Sequence, residues 1–298
     1  MKLGLVYNPT AGSGRRRAPL ESVRAALEEA GAQVQLFPTR AAGDGTEQGR
    51  LAALAHPYVA VYGGDGSVNE VLNGVAASGQ SPRVLLLPGG TMNVLCRDFG
   101  IPLDPVRAAR LLGEGIPQSI YLGNANGRYF ALMASAGLDA SVVHYMNFRA
   151  GLKKGLGPWA FAWEALRHFW TYRFPPIEVV TSEGAEYLGY SVVVGKSKGY
   201  GGWFSITRDA RATTPDFQVA VCVGRNRFAY FWYVLLALTG QLARSGDYRF
   251  FRTSRLQLRS AQPVRLQIDG DSAGDLPREF CVDGTTVQIL CPAVKAKN

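Results

Sequence analysis

The sequence predicts an α/β domain over residues 1–122 followed by a β-sandwich domain over 123–298, with room for the last residues to pack back on the first domain, and three observations carry that reading. In the first part, short apolar runs alternate with amphipathic stretches, the pattern of successive βα units. Each run ends in a turn rich in glycine or small hydroxyls. From about Leu122 onward, β-prone runs follow one another with few helical stretches between them.

Leu3 to Tyr7 reads as a buried strand and Asn8-Pro9-Thr10-Ala11-Gly12-Ser13-Gly14 as the loop after it, followed directly by Arg15, Arg16 and Arg17. A polar, glycine-containing loop with three guanidinium groups can hold a polyphosphate; a solvated basic face is the alternative. Leu20, Val23, Leu27 and Ala30 share a helical face, Gly31 ends that helix, and Gln33 to Phe37 forms a second strand. The polar turn from Pro38 to Gly45 precedes a helix from about Thr46 to Ala55.

Tyr58 to Tyr62 then runs into Gly63-Gly64-Asp65-Gly66-Ser67, after which Val68, Val71, Leu72 and Val75 recur at helical spacing. A strand, a tight loop and a helix in this order let backbone N–H groups approach a phosphate. Glycine has no Cβ, and a helix N-terminus favours negative charge. An ordinary βα turn with Ser67 as N-cap is the alternative. Val84 to Leu87 is a further strand, ending in Pro88-Gly89-Gly90-Thr91-Met92-Asn93. Several such strand ends facing one crevice mark a nucleotide or phosphate binder.

In the second part, Tyr129 to Met133, Ile177 to Thr181, Tyr187 to Val194, Phe217 to Val223, Leu256 to Leu258, Val264 to Ile268 and Val287 to Leu290 read as strands. Two helical segments stand among them. Pro158 to Tyr172 carries Trp159, Phe161, Trp163, Leu166, Phe169 and Trp170; Phe228 to Leu238 is apolar throughout. They either pack on the sheet or form an entry for acyl chains and an interfacial face, with Arg149, Lys153 and Lys154 facing anionic headgroups.

Composition narrows the partners. A chain of 298 residues, 47% hydrophobic and 18% charged, has the balance of a soluble globular protein. Its formal charge of +9 suits nucleotides, nucleic acid or an anionic membrane surface. Nucleic acid is set aside because the basic residues are dispersed and no recognition motif occurs. Cys96, Cys222, Cys281 and Cys291 form no C-x-x-C pair and Met1 leads straight into a strand, so a reducing cytoplasm is expected. The longest apolar run, Phe228 to Leu238, is far short of the roughly 20 residues a membrane-spanning helix needs. His56, His144 and His168 lack metal-ligand spacing and read as surface or core histidines.

The ordered set Asn8-Pro9 with Gly12, Thr39 with Gly43-Asp44, Gly63 to Ser67 with Asn69-Glu70, Pro88 to Asn93, Gly137-Leu138-Asp139-Ala140, Gly201-Gly202 and Asp269-Gly270-Asp271 resembles the diacylglycerol kinase catalytic domain family of bacterial lipid, sphingosine and ceramide kinases. The resemblance covers nearly the whole chain. It implies a Rossmann-like, phosphofructokinase-like α/β domain, a β-sandwich domain and an active site in the cleft between them. It also implies an ATP- and Mg²⁺-dependent kinase that acts peripherally on a lipid alcohol at the inner membrane face. ATP would lie on Asn8, Arg15, Thr39, Gly63, Gly64, Asp65, Gly66, Ser67, Asn69, Glu70, Gly90, Thr91 and Asn93, with Asp65 orienting the loop or reaching Mg²⁺.

The family's base aligns with Asp271, and Asp269 is the second carboxylate at that place. In a strand the two would point to one side; a type I′ hairpin turn is the alternative reading of Asp-Gly. Four departures stand out: Ser67 for the usual threonine, Val94 where aspartate commonly follows Asn93, Asp271 for glutamate, and Thr213-Thr214-Pro215 on the Asp-Gly segment through which bacterial members bind a structural magnesium. That metal site is therefore not expected. A catalytically weak nucleotide- or lipid-binding regulator and an NAD-kinase-like kinase of a soluble acceptor remain as alternatives. The oligomeric state is not legible, a homodimer being one option.

Overall fold

The computed structural model describes residues 1–9, 18–150, 167, 169–199 and 205–293, the side chains of 146–150 excepted. The chain forms two compact units, one of Met1–Leu122 with Ala212–Thr214 and Gly284–Asn298, the other of Gly123–Arg211 with Pro215–Asp283. The first unit opens with β1 (Lys2–Tyr7), α1 (Leu20–Glu29), β2 (Gln33–Pro38), α2 (Asp44–Ala55), β3 (Tyr58–Gly63), α3 (Asp65–Ser78) and β4 (Arg83–Pro88). The short helices α4 (Val94–Asp98), α5 (Pro105–Ala109) and α6 (Leu111–Glu114) lead to β5 (Ile116–Tyr121).

The second unit holds β6 (Gly123–Ala125), β7 (Arg128–Phe130), β8 (Met133–Gly137), α7 (Leu138–Ala150), β9 (Ile177–Thr181), β10 (Glu186–Gly189), β11 (Ser191–Gly195) and β12 (Phe217–Cys222). It continues with α8 (Arg227–Leu238), β13 (Tyr248–Thr253), β14 (Arg255–Arg259), β15 (Arg265–Ile268), β16 (Asp271–Asp275) and β17 (Arg278–Cys281). The chain then returns to the first unit as β18 (Thr286–Cys291).

The first unit's sheet runs β2-β1-β3-β4-β18-β5, with β5 alone antiparallel to its neighbour. The runs Tyr58–Gly63 and Arg83–Pro88 are buried almost end to end, as central parallel strands covered on both faces require. From β1 the chain goes to β2 on one side and then crosses to β3 on the other. The carboxyl ends of β1 and β3 therefore form the switch point where open α/β sheets bind ligands. Helices α2 and α3 pack closely because glycines face the contact: a Cβ on Gly49 would sit 2.9 Å from the Val71 carbonyl oxygen, and one on Gly74 would overlap the Thr46 carbonyl.

The second unit contains the sheets β10-β9-β14-β17-β6-β7 and β13-β12-β11-β8-β15-β16. Alternate residues of both meet in one core, among them Phe130, Ala134, Val179, Val192, Phe217, Leu256, Leu266 and Phe280. Phe130 stacks on Phe217 and meets Phe280 edge-on, at centroid distances of 5.7 and 6.3 Å. The outer face of the second sheet is covered by a cluster built on Leu138, Cys222, Tyr230, Tyr233 and Leu236.

Several boundaries differ from those the sequence predicts. The run Tyr129 to Met133 is divided between β7 and β8, and Tyr187 to Val194 between β10 and β11. In both places the chain switches from one sheet to the other, so that residues on each side of the corner face the shared core. Helix α3 begins at Asp65 with Gly64 as its extended N-cap, so Ser67 lies inside the first turn and is not the cap. Val287 to Leu290 falls in β18, within the sheet of the first unit. Gly12, Arg15 to Arg17, Lys153, Lys154, Trp163, most of Pro158 to Tyr172 and Gly201-Gly202 lie outside the described residues, as does the side chain of Arg149.

Candidate active site

In the first unit the carboxyl ends of β3 and β4 are joined backbone to backbone. The Gly89 N–H donates to the Gly63 carbonyl at 2.8 Å. A Cβ on Gly64 would lie 3.2 Å from the Gly90 Cα, so side chains at these turns would push the two loops apart. The first intrahelical bond of α3 runs from the Val68 N–H to the Gly64 carbonyl at 3.0 Å. It leaves the N–H groups of Gly66 and Ser67 without intrahelical acceptors and directed along the helix axis, a geometry that suits an anion.

Asp65 does not point along that axis. Its carboxylate accepts from the Val94 N–H at 2.7 Å and so caps the start of α4, with Leu95 and Asn93 N–H groups also contributing. Burial raises the Asp65 pKa and these N–H bonds oppose the rise. Asn93 has left-handed backbone, φ 47°. Its Oδ1 accepts from the Gly90 N–H at 3.0 Å and its Nδ2 donates to the Gly90 carbonyl at 2.8 Å, closing the turn that leaves Gly90 and Thr91 exposed.

The next turn of α3 steadies the neighbouring loop. Glu70 accepts from the N–H groups of Gly43 and Gly45, each at 2.8 Å, and Asp44 accepts from Arg40 and Ala41. Gly43 has φ 94°, a conformation glycine adopts without strain. Thr39 sends its N–H (2.9 Å) and its hydroxyl (3.4 Å) to the Tyr7 carbonyl, tying the ends of β1 and β2 beside Asn8. Asn69 is buried, with its carbonyl and Oδ1 accepting from the Asn73 amide. Gly63 to Ser67, Gly90, Thr91 and Asn93 thus stand together, Asn8 and Thr39 stand at the adjacent strand ends, and Asn69 and Glu70 hold the loops from behind.

In the second unit Asp269-Gly270 forms a two-residue hairpin turn between β15 and β16, both residues having left-handed backbone (φ 48° and 89°). The two carboxylates therefore do not share a side, contrary to the strand reading. Asp269 is buried and accepts from the N–H groups of Ala131, Leu132 and Met133 at 3.0, 3.1 and 2.8 Å, fixing the corner between β7 and β8. Asp271 is exposed and pairs with Arg128 at 3.0 Å; next to it the Ser272 hydroxyl lies 2.8 Å from His144 Nδ1. Neither Arg128 nor His144 stands out in the sequence as a neighbour of Asp271, because both partners are more than 120 residues away.

Beside the α7 and α8 layer of the second unit lies a cavity of about 410 Å³. Val193 and Ala220 form its floor, Leu138 and Val142 one wall, Tyr230 and Ala237 another, and Asp139 is the carboxylate on its lining. Burial holds the Tyr230 and Tyr248 hydroxyls far above their ordinary pKa, so they stay neutral. The outer side of α8 exposes Phe228, Phe231, Trp232, Leu235 and Leu238. Among the described residues no helix is long and apolar enough to cross a membrane.

These features coincide with known proteins along the whole chain. The model of the diacylglycerol kinase catalytic domain matches residues 2–125, and that of the YegS C-terminal NAD kinase beta sandwich-like domain matches residues 133–291. The diacylglycerol kinase of Bacillus subtilis (strain 168) is 26% identical over 298 residues, spanning 99% of this chain and 97% of that protein. That of Staphylococcus carnosus (strain TM300) is 26% identical over 292 residues, spanning 97% and 94%. A solved diacylglycerol kinase from Bacillus anthracis str. Sterne superposes with a TM-score of 0.72 at 20% identity, covering 97% of this chain and 96% of that one, and so shares the fold. The chain belongs to the family in which a diacylglycerol kinase catalytic domain is followed by a YegS-type β sandwich-like domain.

Proposed function

We propose that this protein is an ATP-dependent kinase that transfers the γ-phosphoryl group to the hydroxyl of a lipid alcohol, diacylglycerol or a related lipid. The observation that carries the reading is the joint loop at the ends of β3 and β4, where two glycine pairs meet and the N-terminus of α3 is left open. Phosphoryl transfer consists mainly of positioning the donor and neutralising its charge. In this reading the triphosphate rests on the N–H groups of Gly66 and Ser67 and on the hydroxyls of Ser67 and Thr91. Arg15 supplies positive charge, and Mg²⁺ enters with ATP as part of the substrate. Asp65 acts by fixing α4 against the loop, because its oxygen is already engaged by the Val94 N–H.

Asp271 is the proposed general base. It takes the proton of the lipid hydroxyl as that oxygen bonds to the γ-phosphorus and the bond to the β-phosphate bridging oxygen breaks, releasing ADP. Arg128 orients the carboxylate before the acceptor arrives. The apolar cavity of about 410 Å³ receives the acyl portion, and its size lies within the usual range of ligand pockets. Helix α8 lines that cavity with Tyr230 and Ala237 and presents Phe231 and Trp232 outward, which supports peripheral work at the cytoplasmic membrane face.

The test is ATP consumption with and without diacylglycerol in mixed micelles. Turnover that depends on added lipid is expected. Asp271→Ala should lower it by about 10² to 10⁴-fold with little change in nucleotide affinity, the range for loss of a general base. ATP binding with no lipid-dependent turnover would move the protein to the catalytically weak regulatory reading.

A further inference from the structure

Lys196 follows β11 and is completely buried. Its ammonium donates to the carbonyl oxygens of Arg211 at 3.1 Å and Asp216 at 3.2 Å. These two acceptors bracket Ala212–Thr214, the short piece by which this part of the chain belongs to the first unit. The carboxylate of Asp216 pairs with Arg252, which holds it at 2.6 and 2.7 Å and also donates to the Asp209 carbonyl at 3.0 Å. A loop whose carbonyls converge on one point is an oxygen cage of the kind hard cations occupy.

The resemblance to bacterial lipid kinases implies a structural magnesium held by the segment aligned with Thr213-Thr214-Pro215. The residues present do not fit that ion. The aligned segment contains no carboxylate; nearby, that of Asp216 is engaged by Arg252 and that of Asp209 by the Gln218 amide. The converging carbonyls lie at N–H···O distance from an ammonium, well beyond the roughly 2.1 Å that magnesium demands. With a guanidinium beside it as well, the site already holds two positive charges. Burial lowers the Lys196 pKa to about 8 and the charge of Asp216 opposes that, so the group is largely protonated at pH 7.

We infer that the Lys196 ammonium is the cation of the 211–216 loop, a covalently attached substitute that closes this segment without a divalent metal. The residue does not take part in phosphoryl transfer; it shapes the loop through its backbone.

The experiment is thermal unfolding of the full chain without nucleotide, in EDTA and in millimolar MgCl₂, with metal content measured after gel filtration. The wild-type midpoint should be the same in both buffers and no stoichiometric divalent ion should be retained. Lys196→Met keeps most of the side-chain volume and removes the ammonium donors to the Arg211 and Asp216 carbonyls. Its midpoint should fall by about 5 °C or more. In Lys196→Ala, which opens room at the cage, methylammonium should restore part of the lost midpoint. A wild-type midpoint that drops in EDTA, or a retained stoichiometric metal, would overturn the inference even if neither variant folds. So would a Lys196→Met protein as stable as wild type.

Discussion

At the β15–β16 turn, left-handed backbone at Asp269 and Gly270 swings one carboxylate inward onto three N–H donors and leaves the other at the start of an edge strand. A rule that places residues i and i+2 on one side of a strand fails here because the three residues do not form a strand. The dipeptide Asp-Gly did signal the turn; which acid became buried depended on the Ala131–Met133 corner, over 130 residues away. The two residues should therefore separate by measurement. Asp269→Ala removes the acceptor of three buried N–H groups and should cost about 3 kcal/mol or more in chemical unfolding. Asp271→Ala, exposed and paired at the surface with Arg128, should cost under about 1 kcal/mol. Equal losses would mean that Asp271 is structural too.

Among the elements, those with a strong local signal were legible. The parallel strands β1, β3 and β4 announce themselves as continuous apolar runs, and the glycine loops after β3 and β4 mark the site. Others gave little. Strand β13, Tyr-Arg-Phe-Phe-Arg-Thr, and the polar β16, Asp-Ser-Ala-Gly-Asp, are edge strands whose pairing comes from the sheet. Helix α8 is apolar all round, so periodicity could not say that Tyr230 and Tyr233 face inward while Phe231 and Trp232 face out. The α2–α3 contact was likewise invisible, although its glycines stood in the sequence. Gly74→Ala should lower stability by about 1–3 kcal/mol, since overlap with the Thr46 carbonyl and Arg50 amide outweighs the better helix propensity of alanine. A more stable variant would show that the two helices can separate without cost.

For the molecule as a whole, a charge of +9 and one helix with an exposed apolar side favour contact with an anionic bilayer. Replacing Phe231 and Trp232 together by Ser should weaken partitioning to vesicles containing anionic lipid by roughly tenfold or more, given the apolar area removed. Turnover on a short-chain, water-soluble acceptor should stay the same. Unchanged vesicle binding would remove the outer side of α8 as a membrane contact.

The insertion of β18 between β4 and β5 has a consequence for biosynthesis. During translation, the six-stranded sheet of the first unit stays open until residues 286–291 have left the ribosome, after the entire sandwich has been made. A nascent or truncated chain ending near residue 122 would present β4 and β5 as unpaired edges to chaperones and to other copies of itself.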